Sequence, residues 1–174
     1  MALTAESSIT TYTSASILEL DSTKFEEIRN VINNAYQSRA YLLKADAERV
    51  KTAETMAEEL QSGGFLIVLR QRNEVIATAA GIPVDDESWR AAMVATKPTR
   101  VHCGFGTQVM RHLESLARNA KMKKIILRHV IGEFGLIPFY QRLGYSITGR
   151  YFHGEGGSTQ AVREYEFTTM KLIL

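Results

Sequence analysis

The sequence contains a single cysteine, Cys103, among its 174 residues. One cysteine excludes an intramolecular disulfide, and no Cys or His spacing is typical of a zinc site, so we expect a reducing, cytoplasmic location and no metal. No apolar stretch approaches the roughly 20 residues that cross a bilayer. The N-terminus also lacks the basic start and apolar run of a signal peptide. We therefore expect no membrane partner.

Net charge is also scarce, at +2, and no basic stripe is visible, which argues against a nucleic-acid partner. Hydrophobic residues at 45% and charged residues at 23% are ordinary for a globular protein. No repeat or low-complexity boundary follows residue 16. We expect a flexible segment rich in Ser and Thr at 1–16, then a single domain at 17–174, present as a monomer or homodimer.

Hydrophobic periodicity predicts alternating helices and strands. The spacing of Thr23 and Glu26 is typical of a capping box, which starts a helix. The predicted elements are a short alternating stretch at 17–20, a helix from 23, a helix over 47–60, a hairpin of 65–69 and 75–80, a strand over 89–96, a helix over 107–120, a strand over 123–130, a short helix over 139–143, and a final strand pair over 145–152 and 164–174. The strand, loop, helix and strand after residue 89 form a βαβ unit, which places two strands in parallel.

A glycine-bearing loop, residues 102–107, joins the first strand of that unit to its helix. Free backbone N–H groups at a helix N-terminus favour anions, and Gly104 and Gly106 let phosphate oxygens approach the backbone. A turn that needs glycine for positive φ explains the same residues. The loop has neither the Lys-Ser/Thr pair of a P-loop nor the Rossmann glycine pattern.

Two motifs resemble the GNAT superfamily of acetyl-CoA-dependent N-acetyltransferases. The stretch Ala95–Gly106 resembles the end of the family's fourth strand and its pyrophosphate loop, and Ile137–Tyr145 resembles its Phe-Tyr-x-x-x-Gly-Phe/Tyr segment. The resemblance implies an α/β (α+β) GNAT fold: a mixed sheet of about six to seven strands, about four helices, and a splayed strand pair at the coenzyme site. The chain departs from the pattern at Val101, where the family has Gln or Arg, and at Glu133, where many relatives have Asn.

The same resemblance implies a coenzyme site and a general acid. The strand Met93–Thr96 would present backbone N–H groups to the thioester carbonyl and pantetheine arm, and Tyr140 would protonate the leaving thiolate. Asp86 or Glu87 is a candidate base acting through water, although a buried amine with a lowered pKa would need no strong base. The residues expected to bind acetyl-CoA are Val94, Ala95, Thr96, Val101, His102, Cys103, Gly104, Phe105, Gly106, Thr107, Phe139 and Tyr140.

Three functions are compatible with these motifs. The first is acetyl transfer from acetyl-CoA to a primary amine of a small molecule or peptide. The alternatives are a non-catalytic acyl-CoA-binding or regulatory module and a purely structural protein. Cys103, beside His102 at a helix start, is either a reactive thiol or a loop residue contributing only its amide. An acidic rim at 85–87 would favour a cationic acceptor such as a polyamine or aminoglycoside.

Overall fold

The computed structural model describes residues 6–37, 48–131, 135–152 and 166–174. Within these residues the chain forms one seven-stranded sheet and five α-helices. The strands are β1 (Ser7–Thr13), β2 (Phe65–Gln71), β3 (Glu74–Asp85), β4 (Ser88–Thr96), β5 (Lys124–Ile131), β6 (Ser146–Phe152) and β7 (Glu166–Ile173), and the helices are α1 (Ser14–Leu18), α2 (Ser22–Gln37), α3 (Ala53–Glu59), α4 (Phe105–Asn119) and α5 (Leu136–Arg142). The strand order is β1-β2-β3-β4-β5-β7-β6, and only β4 and β5 are parallel. The predicted mixed sheet and its βαβ unit are confirmed.

Apolar clusters pack against both faces of strand β2. On one face, the β2 residues Phe65, Ile67 and Leu69 pack in a cluster with residues of α4 and α5. On the other, Leu66 and Val68 pack with residues of α1, α2 and α3. Because both faces are covered, β2 reads as a continuous apolar run and does not alternate with polar residues. No helix within the described ranges is long and apolar enough to span a bilayer.

The N-terminal residues differ from the sequence-based expectation. Ser7–Thr13 form the edge strand β1, which pairs antiparallel with β2, although the sequence predicted a flexible segment there. The segment is rich in β-branched Thr and Ile, which suit a strand once an open sheet edge is available. The stretch 17–20 lies in and just after helix α1, where Ile17 is fully buried and Thr13 forms a capping box with Ser16. Four alternating residues were too short a pattern to separate helix from strand.

The second predicted helix is shorter than the pattern over 47–60 suggested. Helix α3 begins after Thr52, which caps it together with Thr55. Upstream, the backbone N–H and C=O of Val50 bond to the side chain of Asn33 at 2.9 and 2.8 Å. Those groups are therefore unavailable for helical hydrogen bonds. Residue 47, residues 133 and 153–160, and the start of the last predicted strand at 164 lie outside the described residues.

Strands β4 and β5 diverge along their length. Their parallel pairing covers Ser88–Ala91 and Lys124–Leu127. Beyond Ala91, β4 continues to Thr96 paired with β3 alone, whereas β5 continues to Ile131 paired with β7. The predicted splayed pair is confirmed, and a gap opens between the two strands beside residues 92–96.

Candidate active site

A β-bulge interrupts β4 where it borders the gap. Ala80 pairs with Ala92 and Thr78 with Ala95, so Met93 and Val94 together oppose one residue of β3. Met93 is fully buried with φ of 47°, and its C=O accepts a 2.7 Å hydrogen bond from the Thr78 hydroxyl. A bulge redirects backbone groups out of the ladder. Among the described strands nothing pairs with the β5-facing edge of β4 here, so backbone N–H groups at this edge can bind a ligand in the gap.

The N-terminus of α4 lies just beyond the end of β4. A 3-10 turn at Pro98–Arg100 leads into His102 and Gly104, whose φ values of 62° and 83° are both in the left-handed region. Among the described residues no side chain caps α4. The first N–H groups of a helix have no intrahelical partner, and the helix dipole adds positive charge there. A Cβ built on Gly104 would meet nothing within 4 Å among the described residues, so the space beside this residue is open.

Gly106 joins three parts of the predicted site that are distant in sequence. A Cβ at this position would lie 3.3 Å from the Thr96 hydroxyl oxygen and 3.5 Å from the Phe139 ring. The end of β4, the first turn of α4 and helix α5 therefore meet at one point. Any larger side chain would have to displace one of those two neighbours.

Tyr140 lies on α5 beside this meeting point. Its side chain is 6% exposed, and its ring contacts Phe139 and Tyr145 edge-on at centroid distances of 5.0 and 5.8 Å. The carbonyl of Tyr140 accepts hydrogen bonds of 3.0 Å from the amides of Leu143 and Tyr145. These contacts fix the orientation of the Tyr140 ring on α5. The structure thus brings Thr96, Gly106 and Phe139 together, and Tyr140 directly follows Phe139 on α5.

An ion pair that joins half-exposed Arg111 to buried Glu114 on α4 was not found from the sequence. Glu114 on α4 is fully buried, and its carboxylate accepts a 2.6 Å bond from Arg111, which also donates to the Leu143 carbonyl at 3.2 Å. Arg111 therefore ties α4 to the end of α5. Burial raises the pKa of Tyr145 far above its ordinary value, and the charge of Glu114 adds to the rise. The sequence did contain a signal for this ion pair, because Glu114 is a charged residue beside Met110 and Leu113 on the apolar face of α4.

The loop side chains lie outward. Val101 is 48% exposed, and His102 and Cys103 are also exposed. The Cys103 thiol contacts the Val101 carbonyl at 3.5 Å. Val94 packs toward α4 and Ala95 toward α2, so consecutive β4 residues line both sides of the strand. This loop therefore offers a ligand mainly backbone amides and open space.

Glu87 does not lie near these residues, which corrects its assignment as a candidate base. It occupies the exposed turn between β3 and β4, where its carboxylate pairs with Lys123 and its carbonyl accepts from the Lys123 and Lys124 amides. The bulge at Met93 is six residues further along, roughly 20 Å at 3.3 Å per residue. Asp86 lies in the same turn. A β-hairpin necessarily places its turn at the opposite end of the strand from the loop that follows it.

The splayed parallel pair of β4 and β5, with the uncapped N-terminus of α4 at its open end, is the arrangement expected of a GNAT fold. The sequence matches the model of the acetyltransferase (GNAT) family over residues 24–145, and the chain belongs to this family. No curated protein matches the sequence.

Solved structures with the same fold share little sequence with the chain. A GNAT family acetyltransferase from Elizabethkingia anophelis with acetyl-CoA bound is 19% identical with a TM-score of 0.68, covering 97% of this chain and 98% of that one. The ribosomal-protein-alanine N-acetyltransferase of Brucella melitensis is 16% identical with a TM-score of 0.71, covering 96% and 99%. The ribosomal-protein-S18-alanine N-acetyltransferase of Escherichia coli is 15% identical with a TM-score of 0.69, covering 97% and 94%. At these identities the similarity establishes the fold.

Proposed function

We propose that the protein transfers the acetyl group of acetyl-CoA to a primary amine of a small molecule or peptide. The observation that carries the proposal is the meeting of β4, α4 and α5 at Gly106. The uncapped N-terminus of α4, the unpaired edge of β4 and the Phe139–Tyr140 segment of α5 support the proposal. The GNAT family membership and the acetyl-CoA bound to the Elizabethkingia protein support the same co-substrate. We also expect a cytoplasmic location.

Each part of the site has one role in this reaction. The N–H groups of the first turn of α4 bind the pyrophosphate, and the free edge of β4 at Met93–Thr96 holds the pantetheine arm and polarises the thioester carbonyl. The amine nitrogen attacks the carbonyl carbon, a C–N bond forms, and the C–S bond breaks. Tyr140 donates a proton to the departing thiolate, and the amine loses its proton to water. If the amine binds in its neutral form, the reaction needs no carboxylate at the gap to act as a general base.

Two measurements on the purified protein test this function. Calorimetry with acetyl-CoA should show stoichiometric binding, and a free-thiol assay should show coenzyme release that depends on an added amine. Absence of acetyl-CoA binding would refute the proposal. Tight binding without release across small amines and peptides would instead favour a non-catalytic acyl-CoA-binding module, which the position of Glu87 away from the gap also favours.

A further inference from the structure

Within the described residues, one face of the sheet beyond β4 carries no helix, and we call it the open face. The apolar cluster under α1, α2 and α3 includes residues of β2, β3 and β4 and none of the described β5, β6 or β7 residues. The strand registers align Arg90, Ile126, Lys171 and Ser146 in a row across β4, β5, β7 and β6. Ile126 is half-buried, and Lys171 and Ser146 are exposed. A ligand can therefore lie on this face next to β4.

The open face is cationic. On β5, Ile125 and Leu127 pack into the α4 cluster, so Ile126 faces the open side, and the exposed Arg128 follows at a register shift between Leu127 and Val130. Lys171 lies in the next strand on that side. The segments 124–128, 146–150 and 168–173 contain no acidic residue. Lys171 thus faces the open side and the exposed Arg128 lies at its border, with no acid from those segments.

Around Arg90 of β4, positively charged side chains outnumber the carboxylate that pairs with them. Arg90 contacts the Glu59 carboxylate at 3.2 Å, and Arg49 contacts the same carboxylate at 2.7 Å. One carboxylate therefore faces two guanidinium groups, which leaves a net positive charge beside Arg90. The acidic residues at 85–87, which predicted a cationic acceptor, lie at the turn before β4, and there Lys123 and Lys124 partly offset them.

Arg128 stands at the opening of the gap. It directly follows Leu127, the last β5 residue that pairs with β4, and Leu127 pairs with Ala91, two residues before Met93. At one strand spacing and about one residue, Arg128 lies within roughly 10 Å of the bulge. The gap therefore connects the proposed position of the thioester with the open face.

We propose that the acceptor is an amine that carries an anionic group, a carboxylate or a phosphate, on the same molecule. The inference rests on the proposed acetyl transfer. Arg128 and Lys171 bind the anionic group on the open face, and the amine reaches through the gap toward the thioester carbonyl at β4. Arg128 supplies a planar guanidinium that can bind such a group with two hydrogen bonds. A polyamine would be repelled at the same place.

Matched acceptor pairs test this specificity in the free-thiol assay. The pairs are alanine with alaninamide, glutamate with glutamine amide, and phosphoethanolamine with ethanolamine, and spermidine serves as the cationic acceptor. We expect kcat/KM to be about tenfold or more higher for the anionic member of a pair. The pairs separate carboxylate from phosphate, and the preference should weaken as salt screens the charges.

Variants locate the effect on the open face. Arg128→Gln and Lys171→Gln should each raise KM for the anionic acceptor several-fold and leave the neutral acceptor unchanged. Arg72→Gln is the matched control, because it removes one exposed positive charge at the β2–β3 turn, away from the gap. Calorimetry of glutamate and phosphoethanolamine with the CoA-saturated protein gives a readout that does not depend on turnover.

The outcomes for the two proposals differ. Equal or better acetylation of neutral amines or spermidine would overturn the anionic-acceptor inference and leave acetyl transfer intact. Failure of both anionic probes to bind the CoA-saturated protein would overturn it as well. Failure to bind acetyl-CoA at all would instead refute the proposed function.

Discussion

Tyr140 is the residue on which the proposed chemistry depends most directly. Its neighbours Phe139 and Tyr145 hold the ring edge-on, and the amides of Leu143 and Tyr145 hold its backbone carbonyl. A proton donor must be fixed near the leaving sulfur to be effective. The buried position therefore suits a general acid as well as a core aromatic, and only a kinetic experiment separates the two.

Tyr140→Phe should lower kcat about 100-fold, because the ring stays packed while the proton donor is lost. Affinity for acetyl-CoA, measured by calorimetry, should change less than about threefold. Tyr145→Phe is the matched control, since its hydroxyl is buried with no hydrogen-bond partner among the described residues. That control should keep its turnover. A Tyr140→Phe enzyme with wild-type kcat would remove the assignment as acid.

Individual residues also show what the sequence could predict about the site and what it could not. The sequence predicted a loop over 102–107, and the structure places Gly104 at the N-cap of α4 and Gly106 in its first turn; a glycine pair before an amphipathic helix is a local pattern. Glu114 and Arg111 were missed, because their importance arises from contact with Leu143, 32 residues from Arg111. Glu87 was misplaced, because the acidic pattern in a turn does not report which end of the strand carries the site.

At the scale of elements, side chains of helix α2 bind residues 48–51, the segment that leads into α3. Asn33 is 5% exposed, and its side chain bonds both the N–H and the C=O of Val50. Arg29 adds a hydrogen bond of 3.1 Å to the Lys51 carbonyl and an ion pair of 2.7 Å with Glu48. The conformation of this segment therefore depends on side chains of α2 and not on backbone hydrogen bonds within the segment itself.

Asn33→Ala should lower the free energy of unfolding by about 2–4 kcal/mol, because it leaves two buried backbone groups of Val50 unpaired. The neighbouring Asn34 is exposed on the same helix and provides the control. Asn34→Ala should change stability by less than about 0.5 kcal/mol. Urea denaturation of the two variants measures the difference. Equal stabilities would mean that water replaces the Asn33 contacts.

Helix and strand types were more predictable than their limits. Long periodic stretches such as α4 and the β2–β3 hairpin were predicted within about two residues at most of their ends, because one face of each element is apolar and its period is unambiguous. Strand β1 was not predicted, since its alternation carries few apolar residues and its stability comes from pairing with β2. The start of α3 depended on Asn33, which belongs to another helix.

For the whole molecule, the ion pairs of Glu59 connect α3 to the chain before it and to the sheet. Glu59 bonds Arg49 through both oxygens at 2.7 and 2.8 Å and contacts Arg90 of β4 at 3.2 Å. Burial alone would raise the pKa of Glu59, but the hydrogen bonds and charges of Arg49 and Arg90 reverse this, so the pKa lies below its ordinary value. The folded state therefore favours the ionised carboxylate.

This lowered pKa makes part of the stability depend on pH. A carboxylate with a depressed pKa in the folded state stabilises the fold fully above its unfolded value, and this contribution is lost as pH falls through the folded value. Glu59→Gln should therefore be less stable than the wild type by about 1–3 kcal/mol at neutral pH. The difference should shrink at pH values below the unfolded value of about 4.5.

Thermal unfolding across this pH range tests the expectation. Glu58→Gln removes the same charge from the exposed neighbouring position and serves as the control. A destabilisation of Glu59→Gln that stays constant down to strongly acidic pH would show that the carboxylate's charge contributes nothing, and that only packing was lost.

The sequence by itself determined the family, the order of most elements and the loop between β4 and α4, because these follow from local periodicity and from two contiguous motifs. Only the tertiary structure decided which residues converge at Gly106, that Glu87 lies at the opposite end of β4 from the gap, and that the described residues of β5 and β7 place Lys171 and Arg128 beyond β4. Those properties depend on strand register, on the bulge in β4 and on which strands the helices leave uncovered. Each of these joins residues far apart in the chain, and no local pattern records it.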